Sequence, residues 1–327
     1  MKKPLSRIIA AIAAATTTLA APLLATAQSF PVKPIRIIVP FAAGGSSDLL
    51  ARAVARTMSE GLKGAVVVEN KPGAGGVIAM EAVAQAPADG YTLLFATNGT
   101  HSIGPALYPA RKIDPVKDLA PVGLLHTLPN ILLINPKVPV KNVGELITYA
   151  KAHPRQLNFA SAGNGSASHL FGELFQISAG IDMVHVPYKG GSAAVPDLIS
   201  GQVSMMLETI PNALAQVRGG KLTALAVTSG KRSSAAPEIP TIAESGLPGF
   251  DASSWTGLSA PLATPKAVIA ILNAETVRIA KDPAYLEMLK TLGTDATSST
   301  PEGFDAYTRR DIAKWTEVVK KARVQVD

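Results

Sequence analysis

Ile35-Arg36-Ile37-Ile38-Val39-Pro40 runs without a break into Phe41-Ala42-Ala43-Gly44-Gly45-Ser46-Ser47-Asp48. A β-branched run, a glycine/serine turn and an amphipathic stretch together predict a strand-loop-helix unit. In the stretch that follows, Leu50, Val54 and Met58 share one helical face, Arg52 and Arg56 take another, and Gly61 is read as the stop. The same design returns three times. Leu157 to Ser161 leads into Ala162-Gly163-Asn164-Gly165-Ser166-Ala167-Ser168-His169, and Val184 to Tyr188 into Lys189-Gly190-Gly191-Ser192. Leu93 to Thr97 ends in Asn98-Gly99-Thr100-His101.

Further β-branched runs at Ala65 to Glu69 and Leu222 to Val227, and a helical pattern of Leu170, Phe171, Leu174 and Phe175 before Gly180, extend the alternation. The predicted class is α/β with mostly parallel strands flanked by helices. Thr264-Pro265 and Thr300-Pro301 each place a hydroxyl before a proline, which predicts two long closing helices. No short repeat, low-complexity segment or charged linker interrupts the chain. A domain boundary is therefore expected at compact crossings, Pro129-Asn130 and the Gly246 to Ser254 stretch. These divide the chain into a discontinuous domain, residues 28–127 plus 254–327, and a continuous one, residues 128–253.

Glycine lets a turn approach a ligand closely, and the first turn of the next helix presents unpaired N–H groups and a partial positive charge. One such end contributes only about 0.3 to 1 kcal/mol, and one glycine-serine turn alone is most simply a turn. Four of one design, drawn from both halves of the chain, point to a shared anion site at the carboxyl ends of the strands.

Enzyme signatures are missing. Gly73-Ala74-Gly75-Gly76-Val77-Ile78 lacks the third glycine of a dinucleotide fingerprint, and no GxxxxGK[ST], GxSxG or HExxH occurs. His101, His126, His153, His169 and His185 show no metal-ligand spacing, so no metal and no cofactor is expected. His169 and His101 read as hydrogen-bond donors in a cleft. With no cysteine and no serine-histidine pairing, no catalytic residue is assigned; the enzyme alternative is a hydrolase or isomerase using Asp48, His169 and Glu208 as acid and base. Aromatic residues are 5% of the chain, with Phe41, Tyr188 and Trp255 available for stacking, which suits a small polar anion better than a sugar.

Lys2, Lys3 and Arg7 precede an uncharged run from Ile8 to Leu24 and then Ala25-Thr26-Ala27, the three zones of a cleavable signal peptide over residues 1–27. The chain has no cysteine to carry a lipid, so a freely diffusing, disulfide-free periplasmic protein is expected. Three of the 31 basic residues lie in the signal, leaving 28 against 24 acidic ones in the mature chain. That mild, scattered excess makes nucleic acid an unsuitable partner.

At these loops the sequence resembles the Bug/TctC extracytoplasmic solute receptors of tripartite tricarboxylate transporters. RIIVPFAAGGSSD from Arg36, VVVENKPGAGG from Val66, APADGYTLL from Ala86, LNFASAGNGSASHLFGELF from Leu157, VHVPYKGG from Val184, GKLTALAVTS from Gly220 and GLPGFDASSWTGLSAP from Gly246 carry the likeness in order. The resemblance implies a two-domain Venus flytrap of the periplasmic binding protein type, a monomer that closes on a small carboxylate: an amino acid, a di- or tricarboxylate or an aromatic acid. It implies delivery to membrane permease subunits; the outer domain of a sensor kinase is the alternative partner. By motif, the first domain would offer Phe41, Ala43, Gly44, Ser46, Asp48, Thr97 and Asn98. The second would offer Ser161, Ala162, Gly163, Asn164, Ser166, His169, Tyr188, Lys189 and Glu208. Two positions depart from the usual pattern: Gly104 stands before Pro105 where asparagine is common, and Glu208 where aspartate is common. Asp48 and Glu208 have a structural reading, Asp48 capping its helix and Glu208 bonding backbone across the cleft. If Glu208 instead faces the ligand ionised, it repels a second carboxylate and favours an ammonium or hydroxyl.

Overall fold

The computed structural model describes residues 30–324 apart from Pro109, so the expected signal at residues 1–27 lies outside the described residues. β1 (Ile35–Val39) is buried at every position but Arg36 and leads through the glycine turn into α1 (Ser46–Leu62). Leu50, Ala51, Val54 and Met58 are buried while Arg52 and Arg56 are exposed, the face division expected from the periodicity. Gly61 is not the stop. The helix runs through it and ends at Lys63, which takes the left-handed conformation with φ 51°. A Cβ at Gly61 would stand 2.1 Å from Glu275 Oε1, so the absent side chain admits a neighbouring helix.

β2 (Val66–Asn70), α2 (Val77–Ala84) and β3 (Thr92–Thr97) complete the first half, with β2 and β3 parallel to β1 on its two sides. A short wide helical turn at Gly99–Ile103 and two single turns follow. β4 (Leu119–Ile134) then runs for 16 residues. The second half repeats the strand-helix alternation: α3 (Val143–Ala152), β5 (Asn158–Ser161), α4 (Ala167–Ala179), β6 (Val184–Pro187), α5 (Gly191–Ser200), β7 (Met205–Thr209), α6 (Ile210–Arg218) and β8 (Thr223–Val227). β9 (Ser253–Pro261) returns to the first half, and the chain closes with α7 (Lys266–Ile279), α8 (Pro283–Thr291), the two-residue β10 (Asp295–Ala296) and α9 (Pro301–Ala322).

The strand order is β2-β1-β3-β9-β4-β7-β5-β6, with β8 and β10 also paired to β4. Pairing is parallel on both flanks, β2-β1-β3 and β7-β5-β6. At the centre β3, β9, β4 and β7 pair antiparallel, because β4 and β9 carry the chain between the halves directly and need no helical crossover. Within β4, Leu119–Pro129 pair with β9 and Asn130–Ile134 with β7, so the partner changes between Pro129 and Asn130. Pro121 lies at a register slip, where a residue without an N–H interrupts the ladder.

Thr300 caps α9 by accepting from Gly303 N at 3.0 Å, as its sequence suggests. Thr264 does not cap α7; its hydroxyl donates to Pro261 O at 2.7 Å and the helix begins after Pro265. Three helices, not two, close the chain: Asp282 before Pro283 accepts from Tyr285 N and starts α8. α9 packs on β4 and α4. Its fully buried Trp315 stacks on Phe171 of α4 at 5.1 Å and belongs to the same core as Phe159 and Phe175.

Candidate functional site

Four strand ends and their glycine turns surround a cavity of about 520 Å³, a size that suits a small molecule. Of the residues expected there, Phe41, Ala43, Ser46, Thr97, Asn98, Ala162, Asn164, Ser166, Lys189 and Glu208 line it. Gly44, Asp48, Ser161, Gly163, His169 and Tyr188 do not; Asp48, Ser161 and His169 are buried, whereas Gly44 is exposed. Asp48 is buried and accepts from Gly44 N at 2.9 Å, Arg52 Nε at 2.9 Å and Asn70 Nδ2 at 3.0 Å. Asn70 Nδ2 also donates to Phe41 O, so the loop from Phe41 to Asp48 is tied at both ends. Burial raises the Asp48 carboxyl, but the hydrogen bonds from Arg52, Gly44 and Asn70 outweigh it and hold the group below its ordinary value. Asp48 is not the cap of its helix, which starts on Gly45 without a side-chain cap; it braces the loop before it.

The second half is braced likewise. Ser161 Oγ lies 2.6 Å from His185 Nε2 and accepts from Gly163 N at 3.1 Å. Gly163 has φ 127°, and a Cβ there would meet Tyr188 O at 3.0 Å, which is why the turn takes glycine. Tyr188 donates to Asp197 Oδ2 at 2.7 Å, away from the cavity. His169 Nδ1 accepts from Gly165 N at 3.2 Å, and its ring stacks on His185 with centroids 3.8 Å apart. The neutral ring therefore carries its proton on Nε2, which lies 3.7 Å from Glu173 Oε1. His101 is also interior, between Thr100 Oγ1 and Ser259 Oγ, so neither histidine read as a cleft donor faces the cavity.

Helices α1, α2, α4, α5 and α6 begin at the cavity wall, and α1, α4 and α5 differ in their caps. Ser166 caps α4 with its own hydroxyl, accepting from His169 N. α1 and α5 start on Gly45 and Gly190, which have no side chain to cap with. Their first-turn amides are left for another acceptor. Ser46 Oγ of α1 lies 3.2 Å from Thr209 Oγ1, so a direct hydrogen bond links the two halves beside the cavity.

Sequence reading missed Asn130, Thr209, Asn212, Ser254 and the Pro72 to Gly76 turn, all of which line the cavity. Asn130 is buried at the point where β4 changes partners; its Nδ2 donates to Leu207 O and its Oδ1 accepts from Ser254 Oγ. The signal for the glycine turn was available, because Gly73-Ala74-Gly75-Gly76 connects a strand to a helix as the other four loops do.

Burial lowers the imidazoles of His101 and His126 to about 3, since an unpaired charge in the interior is costly. Burial, then the charge of His185, brings His169 to about 3 as well. An unfolded imidazole titrates near about 6.5, so unfolding takes up protons below that value. The stability from these groups is complete above about pH 6.5 and is lost as pH falls towards about 3. Glu173, raised by burial to about 7, acts in the opposite sense, so a variant isolates the effect better than the absolute curve. His126→Gln, which can keep partners at Thr256 and Tyr285, is expected to lose less stability than wild type between about pH 7 and about pH 5. Urea unfolding at each pH measures this, and equal losses would contradict a buried neutral His126.

Residues 50–324 match the TctC family, the tripartite tricarboxylate transporter family receptor. Protein BugT of Bordetella pertussis is 38% identical over 320 residues, 97% of this chain and 98% of that protein. An R. palustris protein solved with adipate superposes with a TM-score of 0.85 at 33% identity, covering 90% of this chain and 99% of that one. MatC from Rhodopseudomonas palustris with bound malate has a TM-score of 0.81 at 36% identity, covering 89% and 100%. With the family match spanning most of the sequence and these structures sharing its α/β architecture, the chain belongs to the Bug/TctC receptors and has their periplasmic binding protein fold.

Proposed function

We propose that this protein is a periplasmic solute receptor that holds a small carboxylate in the cavity and hands it to the permease of a tripartite tricarboxylate transporter. The observation that carries the reading is the convergence of two side-chain-free helix starts, at Gly45 and Gly190, on one cavity. Each favours an anion through oriented N–H groups and needs no arginine. The adipate and malate of the two similar structures are carboxylates of a size the cavity accommodates.

In this reading the halves on either side of the Pro129/Asn130 change are lobes, residues 28–127 with 254–327 and residues 128–253. The Ser46 to Thr209 contact belongs to their closed arrangement. Closure is driven by the extra affinity that second-lobe donors give the closed state. Binding without turnover is supported by the placement of the would-be acid-base set, since Asp48 and His169 are bonded away behind the wall. No helix among the described residues is long and apolar enough to cross a membrane, in keeping with a carrier released by the signal at residues 1–27.

A thermal-shift screen of dicarboxylates, hydroxy acids, amino acids and aromatic acids tests the reading. A ligand at about a hundred times its Kd stabilises the native state by about 2.7 kcal/mol, a rise in Tm of several degrees. The compound recovered after long incubation is expected unchanged by mass spectrometry. A screen in which no carboxylate shifts Tm while a sugar or a cation does would remove the proposal.

A further inference from the structure

Glu173 of α4 is half-buried and lies outside the cavity lining. Its two oxygens meet groups whose hydrogens are fixed by other bonds. Gln176 Oε1 accepts from Met183 N, so the amide nitrogen of Gln176 is the group that donates to Glu173 Oε2, at 3.2 Å. His169 Nδ1 accepts from Gly165 N, so the neutral ring presents an N–H at Nε2 towards Glu173 Oε1. That pair stands 3.7 Å apart, too far for a hydrogen bond. With Oε2 occupied as an acceptor, a proton on this carboxyl belongs on Oε1, where it opposes the Nε2–H. Loss of the proton turns Oε1 into the acceptor that Nε2–H lacks.

Gly165 belongs to the turn whose Ala162, Asn164 and Ser166 line the cavity, and it also meets the other half of the protein. A Cβ on it would stand 2.8 Å from Leu107 Cδ1 and 3.8 Å from the Tyr108 ring, and one on Gly75 would stand 3.9 Å from Gly165 O. Burial raises the Glu173 carboxyl to about 7, against the bond from Gln176 and with the charge of Asp182. Asp182 is itself 3.5 Å from Arg155. His169 at about 3 and His185 of β6 at about 4, both lowered by burial, stay neutral where Glu173 titrates. The other interior titratable groups on elements that pack on α4 are engaged elsewhere. Glu208 of β7 accepts from Thr209 and Asn212, Asp311 of α9 accepts from the two indoles, and His101 lies between Thr100 and Ser259. Lys314, Glu317, Lys320 and Lys321 of α9 are exposed.

We propose that Glu173 is a positioning residue for the binding turn: its ionised carboxylate accepts from His169 Nε2–H and so fixes the imidazole tautomer that holds Gly165 N. A carboxylate behind an imidazole sets the ring's orientation and makes its other nitrogen a better acceptor. With the proton in place, Nε2–H faces a second donor and Gly165 is held less firmly. Affinity for a ligand that needs the turn therefore rises as pH rises through about 7, and by reciprocity binding releases the Glu173 proton to solvent. No covalent bond other than that O–H breaks. The effect on affinity rests on the carboxylate reading of the cavity; the effect on His169 and Gly165 does not.

Nitrogen NMR of the ligand-free protein from about pH 6 to about pH 8 reads the switch directly. The Nε2–H tautomer of His169 is expected throughout, with its ring nitrogens and the Gly165 amide following one titration at about pH 7 that Glu173→Gln lacks. Signals that stay flat in wild type, or an Nδ1–H tautomer, overturn the proposal whether or not any ligand is known. Calorimetry over the same range then uses malate and adipate as probes. Wild-type affinity is expected to rise by about three- to tenfold, the range for gaining one hydrogen bond. Glu173→Gln offers one acceptor and one donor, as the protonated acid does, and is expected to keep the low-pH affinity of wild type at every pH. A wild-type rise that survives in Glu173→Gln, or no rise in wild type, overturns the role given to Glu173 in binding. If the titration is seen but neither probe binds, the proton switch at His169 stands and its consequence for affinity fails together with the carboxylate reading.

Discussion

Asp48→Ala is expected to weaken carboxylate binding by roughly a hundredfold although Asp48 does not line the cavity. The substitution removes the acceptor for Gly44 N, Arg52 Nε and Asn70 Nδ2 together. Asn70, left with Phe41 O, then holds the loop at one end only. The amides at the start of α1 need a fixed loop to converge on an anion, and a site loosened by about an ångström loses much of its preorganised affinity. The stability cost is smaller, about 2 kcal/mol, because Arg52 is half exposed, Gly44 exposed and Asn70 half-buried, so water replaces much of what they lose. Isothermal calorimetry with the carboxylate found by screening, paired with urea unfolding, separates the two effects. Unchanged affinity in a folded Asp48→Ala protein would falsify the role given to this loop. Asp48→Asn is expected to fall between the two, since its amide oxygen can serve Gly44 N but not pair with the Arg52 charge.

Trp255→Ala has the largest expected effect on stability, about 3 to 5 kcal/mol, the range for truncating a large buried aromatic. Trp255 on β9 is fully buried and lines the cavity, and its ring meets His101, Phe304 and Tyr307 edge-on. Its Nε1 donates to Asp311 Oδ2 at 2.7 Å, and Trp315 Nε1 donates to the other oxygen of the same carboxyl at 2.9 Å. The cavity floor is thereby joined to α9, which reaches α4 through Trp315. Burial raises the Asp311 carboxyl, the indole donors partly offset it, and losing one leaves the group less satisfied. Trp255→Phe keeps most of the apolar surface, loses that donor and is expected to cost about 1 to 3 kcal/mol. Denaturant titration of both variants should give the order alanine below phenylalanine below wild type. Equal stability of phenylalanine and alanine would mean that the indole hydrogen bond, not the packing, is what matters here.

The local units were legible because each is coded by neighbours in the chain. Hydrophobic period and turn glycines placed β1 with α1 and β5 with α4, and Thr300 and Gly180 act at the helix ends where residue type suggested. Gly61 and Thr264 show the limit of that code. A glycine near a helix end can be a stop or a contact point, and the nearness of Glu275, more than 200 positions away, decides which. Thr264 has both a helix and a backbone carbonyl within reach, and Pro261 O takes its hydroxyl.

The candidate site divides along the same line. The strand-loop-helix sequences by themselves determined that this chain carries several anion-favouring helix starts on an α/β frame, because that property resides in consecutive residues and their backbone amides. Tertiary structure alone decided which of those starts remain open, at Gly45 and Gly190, and that Asp48, Ser161 and His169 support the wall while Asn130, Thr209 and Trp255 form it. It also decided that one Glu208 oxygen accepts from Thr209 and Asn212 while the other is buried without a partner among the described residues. Those outcomes depend on side chains brought together from distant strands, where burial and competition for hydrogen-bond partners, which no local pattern encodes, choose between equally good local alternatives.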